Sequence, residues 1–337
     1  MNLPLARWIL LGLAIAASPL STAWADQLSQ VLERGVLRCG VTESGPGFSY
    51  VDAHGERAGM EVDNCKTVSA ALFGAINVQY VIVSPQTVFT MVQSGGIDLF
   101  AGGATWSFLR DVTLGVDFTG VHFYDGQGFM VRKSAGIAHV ADLDGATICV
   151  TQGTTLEQNL ADYFMAHGMR YDVVTFANAE MAMHAYRTDR CDALSMQKAA
   201  LGARRAAMPE PNAHIILTEM ISSEPQAAVV RQGEARWRDL VLWAFNVRVA
   251  AEEMGVTQAN VDELRTGTAN TEVKRLLGAR GNFGKALGVS NDWAYSIVKL
   301  VGNYADMWER NFTPIGLERG ANGLWRDGGR MTVLPFR

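Results

Sequence analysis

Histidine is scarce in this 337-residue chain: six residues, scattered at 54, 122, 139, 167, 184 and 214. No H-E-x-x-H stands among them, so no metal site is assigned. Cysteine is also sparse, four residues with no C-x-x-C, which excludes a zinc ribbon and a thioredoxin-like centre. Charge is thin at 19%, and its balance is acidic, 29 basic against 34 acidic residues for a net −5. That argues against a nucleic-acid polyanion as partner. There is no P-loop, no G-x-S-x-G elbow, no strand-linked G-x-G-x-x-G and no low-complexity linker. What is present is 48% hydrophobic residues, ample for a core, and a length that suggests two domains at roughly 100 to 200 residues each.

The first 25 residues read as a secretory signal peptide. Arg7 gives a charged start, Trp8 to Ala17 is an apolar run, and Ala23-Trp24-Ala25 is a small-x-small cleavage site before Asp26. The run is too short for a membrane span, and no later stretch reaches 18 uninterrupted apolar residues. The predicted mature chain starts at Asp26, soluble and exported. Export places Cys39, Cys65, Cys149 and Cys191 where disulfides persist. Three pairings exist. Their order favours Cys39–Cys65 with Cys149–Cys191, one bridge per half, and four buried free thiols are the alternative.

Strand-like and helix-like segments alternate. Val36–Val41, Val78–Val83, Ile97–Phe100, Thr147–Val150, Val173–Phe176 and Cys191–Leu194 read as strands, Val78–Val83 as one buried on both faces. Met60–Phe73, Thr87–Ser94, Leu156–Ala166 and Ala179–Thr188 read as helices. This rhythm implies parallel βαβ units and an α/β fold. From Trp237 the pattern turns helical, including Asn291–Asn311, and the tail from Gly316 reads as irregular surface chain. Asn311-Phe312-Thr313 fits a weak glycosylation sequon.

Two loops carry chemistry. Gly102 to Asp111 follows a strand, where open α/β sheets bind ligands. It supplies the hydroxyls of Thr105 and Ser107 and the donor fork of Arg110, suited to a carboxylate, with a surface ion pair as the plainer role for Arg110. Thr151-Gln152-Gly153-Thr154-Thr155 turns into a helix N-terminus, whose free N–H groups and dipole attract an anion. A simple N-cap is its plainer role. Together the loops suggest a small acid clamped in a cleft.

On these residues the chain resembles the periplasmic solute-binding proteins of ABC transporters, the family for polar amino acids, and its general L-amino acid branch in particular. The matching runs include Val36–Val41, Glu61-Val62-Asp63-Asn64-Cys65, Tyr124-Asp125-Gly126-Gln127-Gly128-Phe129-Met130-Val131-Arg132-Lys133 and Asn291-Asp292-Trp293-Ala294-Tyr295. The four cysteines also fall where that branch places them. The resemblance implies a two-lobed fold, two α/β sheets joined by two crossing hinge segments, placed near Gln127 to Val131 and Ser222 to Gln226. Lobe 1 would be 26–128 with 224–337, and lobe 2 would be 129–223. It implies that Arg110, Thr105 and the turn of Thr154 and Thr155 hold a ligand α-carboxylate, with Phe48 covering the ligand or packing in the core. It also implies a monomer without cofactor, delivering its ligand in the periplasm to an inner-membrane permease.

Two departures from the family pattern stand out. Relatives place an aspartate for the ligand ammonium five residues after the aspartate of Arg190-Cys191-Asp192, where this chain has Gln197. The residues before Thr105 are Ala101, Gly102, Gly103 and Ala104, which predicts a wider pocket. A carboxylate ligand that is larger, lacks a free ammonium, or binds weakly is expected. A ligand-sensing protein for a receptor is one alternative. A periplasmic enzyme resembling cyclohexadienyl dehydratase is another, with Glu43 as its one plausible acid or base.

Overall fold

The computed structural model describes residues 26–337, so the signal peptide read at 1–25 lies outside the described residues. The strands are β1 (Leu37–Val41), β2 (Tyr50–Val51), β3 (Arg57–Ala58), β4 (Val78–Ile82), β5 (Leu99–Thr105), β6 (Val116–Asp125), β7 (Gln127–Arg132), β8 (Ala146–Thr151), β9 (Tyr171–Phe176), β10 (Ala193–Gln197), β11 (His214–Ile216) and β12 (Glu224–Arg231). The helices are α1 (Gln27–Arg34), α2 (Met60–Phe73), α3 (Val88–Gln93), α4 (Phe108–Thr113), α5 (Thr155–Ala166), α6 (Ala179–Arg187), α7 (Lys198–Ala206), α8 (Ala235–Glu253), α9 (Val261–Gly267), α10 (Thr271–Leu276), α11 (Phe283–Leu287), α12 (Trp293–Leu300) and α13 (Tyr304–Asn311).

Two five-stranded sheets organise the molecule, in the order β4-β1-β5-β12-β6 and β11-β7-β10-β8-β9. β1 pairs parallel with β4 and β5, and β8 pairs parallel with β9 and β10, as βαβ connections require. The two-lobed periplasmic-binding-protein fold follows: lobe 1 is built on the first sheet, lobe 2 on the second. β4 ends as a half-exposed edge strand of its sheet, so its apolar run does not mean burial on both faces.

The crossings are made by strands that the periodicity reading leaves unassigned. β6 ends at Asp125 in the first sheet, and Gln127 and Gly128 already pair with Gln197 and Met196 in the second. The change of sheet therefore falls at Gly126. A Cβ on Gly126 would sit 2.6 Å from both the Met220 sulfur and the Ser222 carbonyl, so the two crossing segments touch where only glycine fits. They are also bonded: Ile221 N–H donates to the Gln127 carbonyl at 2.9 Å, and Glu224 is the strand partner of Asp125.

Each lobe has a disulfide. Cys39–Cys65 ties β1 to α2 with Cα atoms 5.9 Å apart, and Cys149–Cys191 ties β8 to the approach to β10 at 5.7 Å. α2 is buried nearly all round because the first sheet, α8 and α12 enclose it. Trp237 of α8 is fully buried and donates its indole N–H to the Asp98 carbonyl at 2.9 Å.

Three expectations change here. The helical stretch 291–311 is two helices. Gly302 takes φ +91°, which a side chain would resist, and Asn303 restarts the chain with a reciprocal cap to Asp306. The tail is not all surface: Phe336 is buried against Trp243, Phe283 and Trp293. Asn311 is buried with its amide donating to Asp63 at 2.7 Å, so the folded chain does not offer it for glycosylation.

Candidate ligand-binding site

Between the lobes lies a cavity of about 460 Å³. It opens at the carboxyl ends of β1, β5, β8 and β10, where strands give way to loops and the sheet leaves polar groups unspent. Its apolar lining includes Phe48, Val83, Phe89, Phe100, Leu156 and Met196. Among the described lining residues Arg110 is the one cation, and the acidic ones are Glu43, Glu61 and Glu180.

The two loops singled out by sequence meet across this cavity. Thr105, at the end of β5, and Thr155, at the start of α5, bring their hydroxyl oxygens to 3.4 Å. Arg110 stands on α4 directly after the β5 loop. Its guanidinium lies 5.2 Å above the Phe89 ring and donates one Nη1 bond to the Thr105 carbonyl at 3.1 Å. Burial pulls Arg110 below its usual value, with Glu224 opposing that shift, and it stays a cation at neutral pH.

Thr154 is the N-cap of α5, but its hydroxyl donates to the Thr151 carbonyl at 2.7 Å instead of capping the helix. The first-turn N–H groups of α5 remain outside the helical ladder and face the cavity end of the helix. Gln197 closes β10 and lines the cavity, and among the described residues its amide has no hydrogen-bond partner. Phe48 stands between cavity and core. It lines the cavity and packs edge-on against Phe312 at 5.0 Å and Phe123 at 5.6 Å.

The small residues before Thr105 have a different effect from the one predicted. Ala101 lies in the lobe 1 core. A Cβ on Gly102 would meet the Phe100 ring at 2.4 Å, and one on Gly103 would meet the Gln226 side-chain oxygen at 2.1 Å. These glycines make room for the protein's own Phe100 and Gln226, so they widen the pocket less than their size suggests.

Sequence reasoning missed Glu224. It is 1% exposed at the start of β12, on the second crossing. One carboxylate oxygen accepts the hydroxyls of Thr105 and Thr155, the latter at 2.8 Å. The other accepts from Asn159 at 2.6 Å and Ser222 at 2.9 Å. The two threonine hydroxyls are thus spent on an internal carboxylate and have no hydrogen left for a ligand carboxylate. Only the placement of Ser222–Gln226 on a crossing could have pointed to this residue. Glu61 was missed too. Burial raises its pKa against hydrogen bonds from the Thr42 N–H at 2.7 Å and the Ser44 hydroxyl at 3.0 Å.

Further contacts join the lobes at the rim. The Gln86 amide of lobe 1 donates to the lobe 2 carbonyls of Gln152 at 2.9 Å and Ala177 at 3.3 Å. On another side Arg204 of α7 donates to the Ser44 carbonyl at 3.1 Å and pairs with Glu180 at 2.9 Å. The structure is therefore closed around its cavity.

Comparison with known proteins gives concordant matches. Residues 37–269 match the family model described as bacterial extracellular solute-binding proteins, family 3. The chain is 43% identical over 328 residues to a glutamate/glutamine/aspartate/asparagine-binding protein of Rhodobacter capsulatus, covering 96% of this chain and 97% of that one. It is 42% identical over 333 residues to the general L-amino acid-binding periplasmic protein of Rhizobium johnstonii, covering 97% of each. Among solved structures, a periplasmic binding protein of an ABC transporter from Brucella ovis, with glutathione bound, superposes with a TM-score of 0.90 at 43% identity. That match covers 93% of this chain and 100% of the other.

Proposed function

The chain belongs to the bacterial extracellular solute-binding proteins, family 3, and from that premise we propose that it is the periplasmic capture component of an ABC importer. Its ligand is an amino acid or an amino-acid-like carboxylate, up to the size of a γ-glutamyl tripeptide. The observation that carries this reading is the pairing of Arg110 from lobe 1 with the α5 N-terminus from lobe 2 across one cavity. A bidentate guanidinium and a set of helix N–H groups are complementary to one carboxylate. The volume favours the upper end of the size range, since cavities of roughly 300–1,000 Å³ enclose drug-sized ligands.

The relatives' names support the ligand class: glutamate, glutamine, aspartate and asparagine for one, L-amino acids for another, glutathione in a third. All three are binding proteins by name, which supports capture over turnover. Export with cleavage after Ala25 would leave residues 26–337 as a periplasmic monomer. Lobe 1 would be 26–125 with 224–337, and lobe 2 the intervening chain, hinged at Gly126 and at 217–223. Closure around the ligand, a motion common to periplasmic binding proteins, would present one face to the membrane permease.

Calorimetry on unliganded mature protein tests the reading. A panel of L-amino acids, glutathione, other γ-glutamyl peptides and plain organic acids should contain at least one ligand of micromolar affinity or better. Folded protein that binds none of them would contradict it.

A further inference from the structure

Glu224 is held by four donors, yet it lies behind the cavity wall and lines no part of it. The hydrogen count around it is decisive. A threonine hydroxyl has one hydrogen and two lone pairs, and a carboxylate accepts without donating. Thr105 and Thr155 both give their hydrogen to the same Glu224 oxygen. Neither has a hydrogen left for the other across 3.4 Å, and neither has one for the cavity. Both threonines line the cavity, so the wall presents lone pairs there.

We propose that Glu224 is a positioning residue that fixes the polarity of this wall, turning the Thr105 and Thr155 hydroxyls into paired acceptors that select a ligand bearing an amine. The inference rests on the capture reading and narrows it: the ligand is an amine-bearing carboxylate, with its carboxylate at Arg110 and its N–H groups against the two threonines. The acceptor pair also supplies what Gln197 does not, a fixed recognition point for nitrogen.

The contact is also built from both lobes. Thr105 comes from β5, Thr155 and Asn159 from α5, and Glu224 from the crossing strand β12. The acceptor pair is complete only when the lobes are closed, so amine recognition and closure are one event.

Glu224→Gln tests the inference. The carboxamide is nearly isosteric, but its NH2 group donates, so the hydroxyls can reverse and turn their hydrogens toward the ligand. The probes are L-glutamate, L-glutamine and glutathione, each with its des-amino counterpart (glutarate, glutaramate and glutaryl-cysteinyl-glycine). Calorimetry on wild type should find at least one amino probe bound about tenfold or more tightly than its counterpart. In Glu224→Gln that preference should fall at least tenfold, mainly through loss of the amino probe. Thr155→Val should reduce it in the same direction, and Thr155→Ser, which keeps the hydroxyl, should preserve it. These two variants carry the test if Glu224→Gln does not fold. An equal loss for both members of each pair, or an unchanged preference, would overturn the inference and leave the capture reading standing. Failure of all six probes to bind wild type would overturn the inference as well, and the capture reading would then stand or fall on the wider panel.

Discussion

The two lobes share a sheet topology but bring different chemistry to the cleft. Lobe 1 contributes a committed side-chain cation, Arg110, on rigid structure: β5 is backed by the core of α2, α8 and α12. Lobe 2 contributes no cation but the N-terminal turns of α5 and α6, with Thr155, Glu180 and the uncharged Gln197 on them or beside them. Its sheet ends in β9, a largely exposed edge strand, and no helical layer like α8 to α13 is added to it. The difference suggests an order of events. A ligand carboxylate docks on Arg110 in the open state, because a charge acts at a distance, and the helix dipole, whose influence is confined to about one turn, engages on closing.

The largest test of this asymmetry is Arg110→Ala. It removes the lobe 1 cation and should weaken ligand binding by about 30- to 4000-fold in calorimetry, with an unchanged melting transition in ligand-free protein. Retained affinity would move the carboxylate site to lobe 2. Disulfide removal tests the lobes as separate rigid bodies. On loop-closure entropy, losing Cys149–Cys191 should cost about 4 kcal/mol and losing Cys39–Cys65 about 3.5 kcal/mol. Denaturant unfolding of each double Cys→Ser variant measures this. The lobe 2 variant should show the earlier transition, because that lobe has less core to compensate.

Asp125 probes the boundary between the lobes. Burial pushes its carboxyl up to about 7, while the Gly126 N–H at 2.8 Å and the Ala199 N–H at 3.2 Å oppose that shift. In an unfolded chain an aspartate titrates near ~3.9. The folded state therefore binds the proton more tightly. This contribution to stability is fully present below about pH 4 and is lost as pH rises through 7, amounting to a few kcal/mol at most. Asp125→Asn should lack it, so the variant's melting temperature should gain on wild type from pH 4 to 7. A constant difference would mean that Asp125 titrates normally. The smallest effect belongs to the rim. Gln86→Ala removes two bonds between the lobes and should weaken affinity by about two- to tenfold.

Much of the fold and part of the site were legible in the sequence, and the residues explain the division. Parallel strands with adjoining amphipathic helices, such as β1 with α2 and β8 with α5, write their burial directly into periodicity. β6, β7 and β12 do not, because β6 and β12 carry register shifts near Gly120 and the chain changes sheet at Gly126, so no single face repeats. Arg110, Thr105 and Thr155 were legible as cavity-lining residues because each sits at or just beyond the carboxyl end of a strand, β5 or β8. What each hydroxyl does was not. That depends on Glu224, 119 residues from Thr105 along the chain, and only the tertiary pairing of β12 with β5 brings it there. The glycines before Thr105 mislead for the same reason, since the volume they release is taken by Phe100 and Gln226 rather than by a ligand.

The central claim is that one ligand carboxylate is clamped between a lobe 1 guanidinium and a lobe 2 helix terminus. A crystal structure of protein purified without unfolding tests it most directly. The account predicts ligand density in the cleft with a carboxylate within hydrogen-bond distance of both Arg110 and the first-turn N–H groups of α5. A ligand whose carboxylate lies on neither, or on one lobe alone in the closed form, would contradict it.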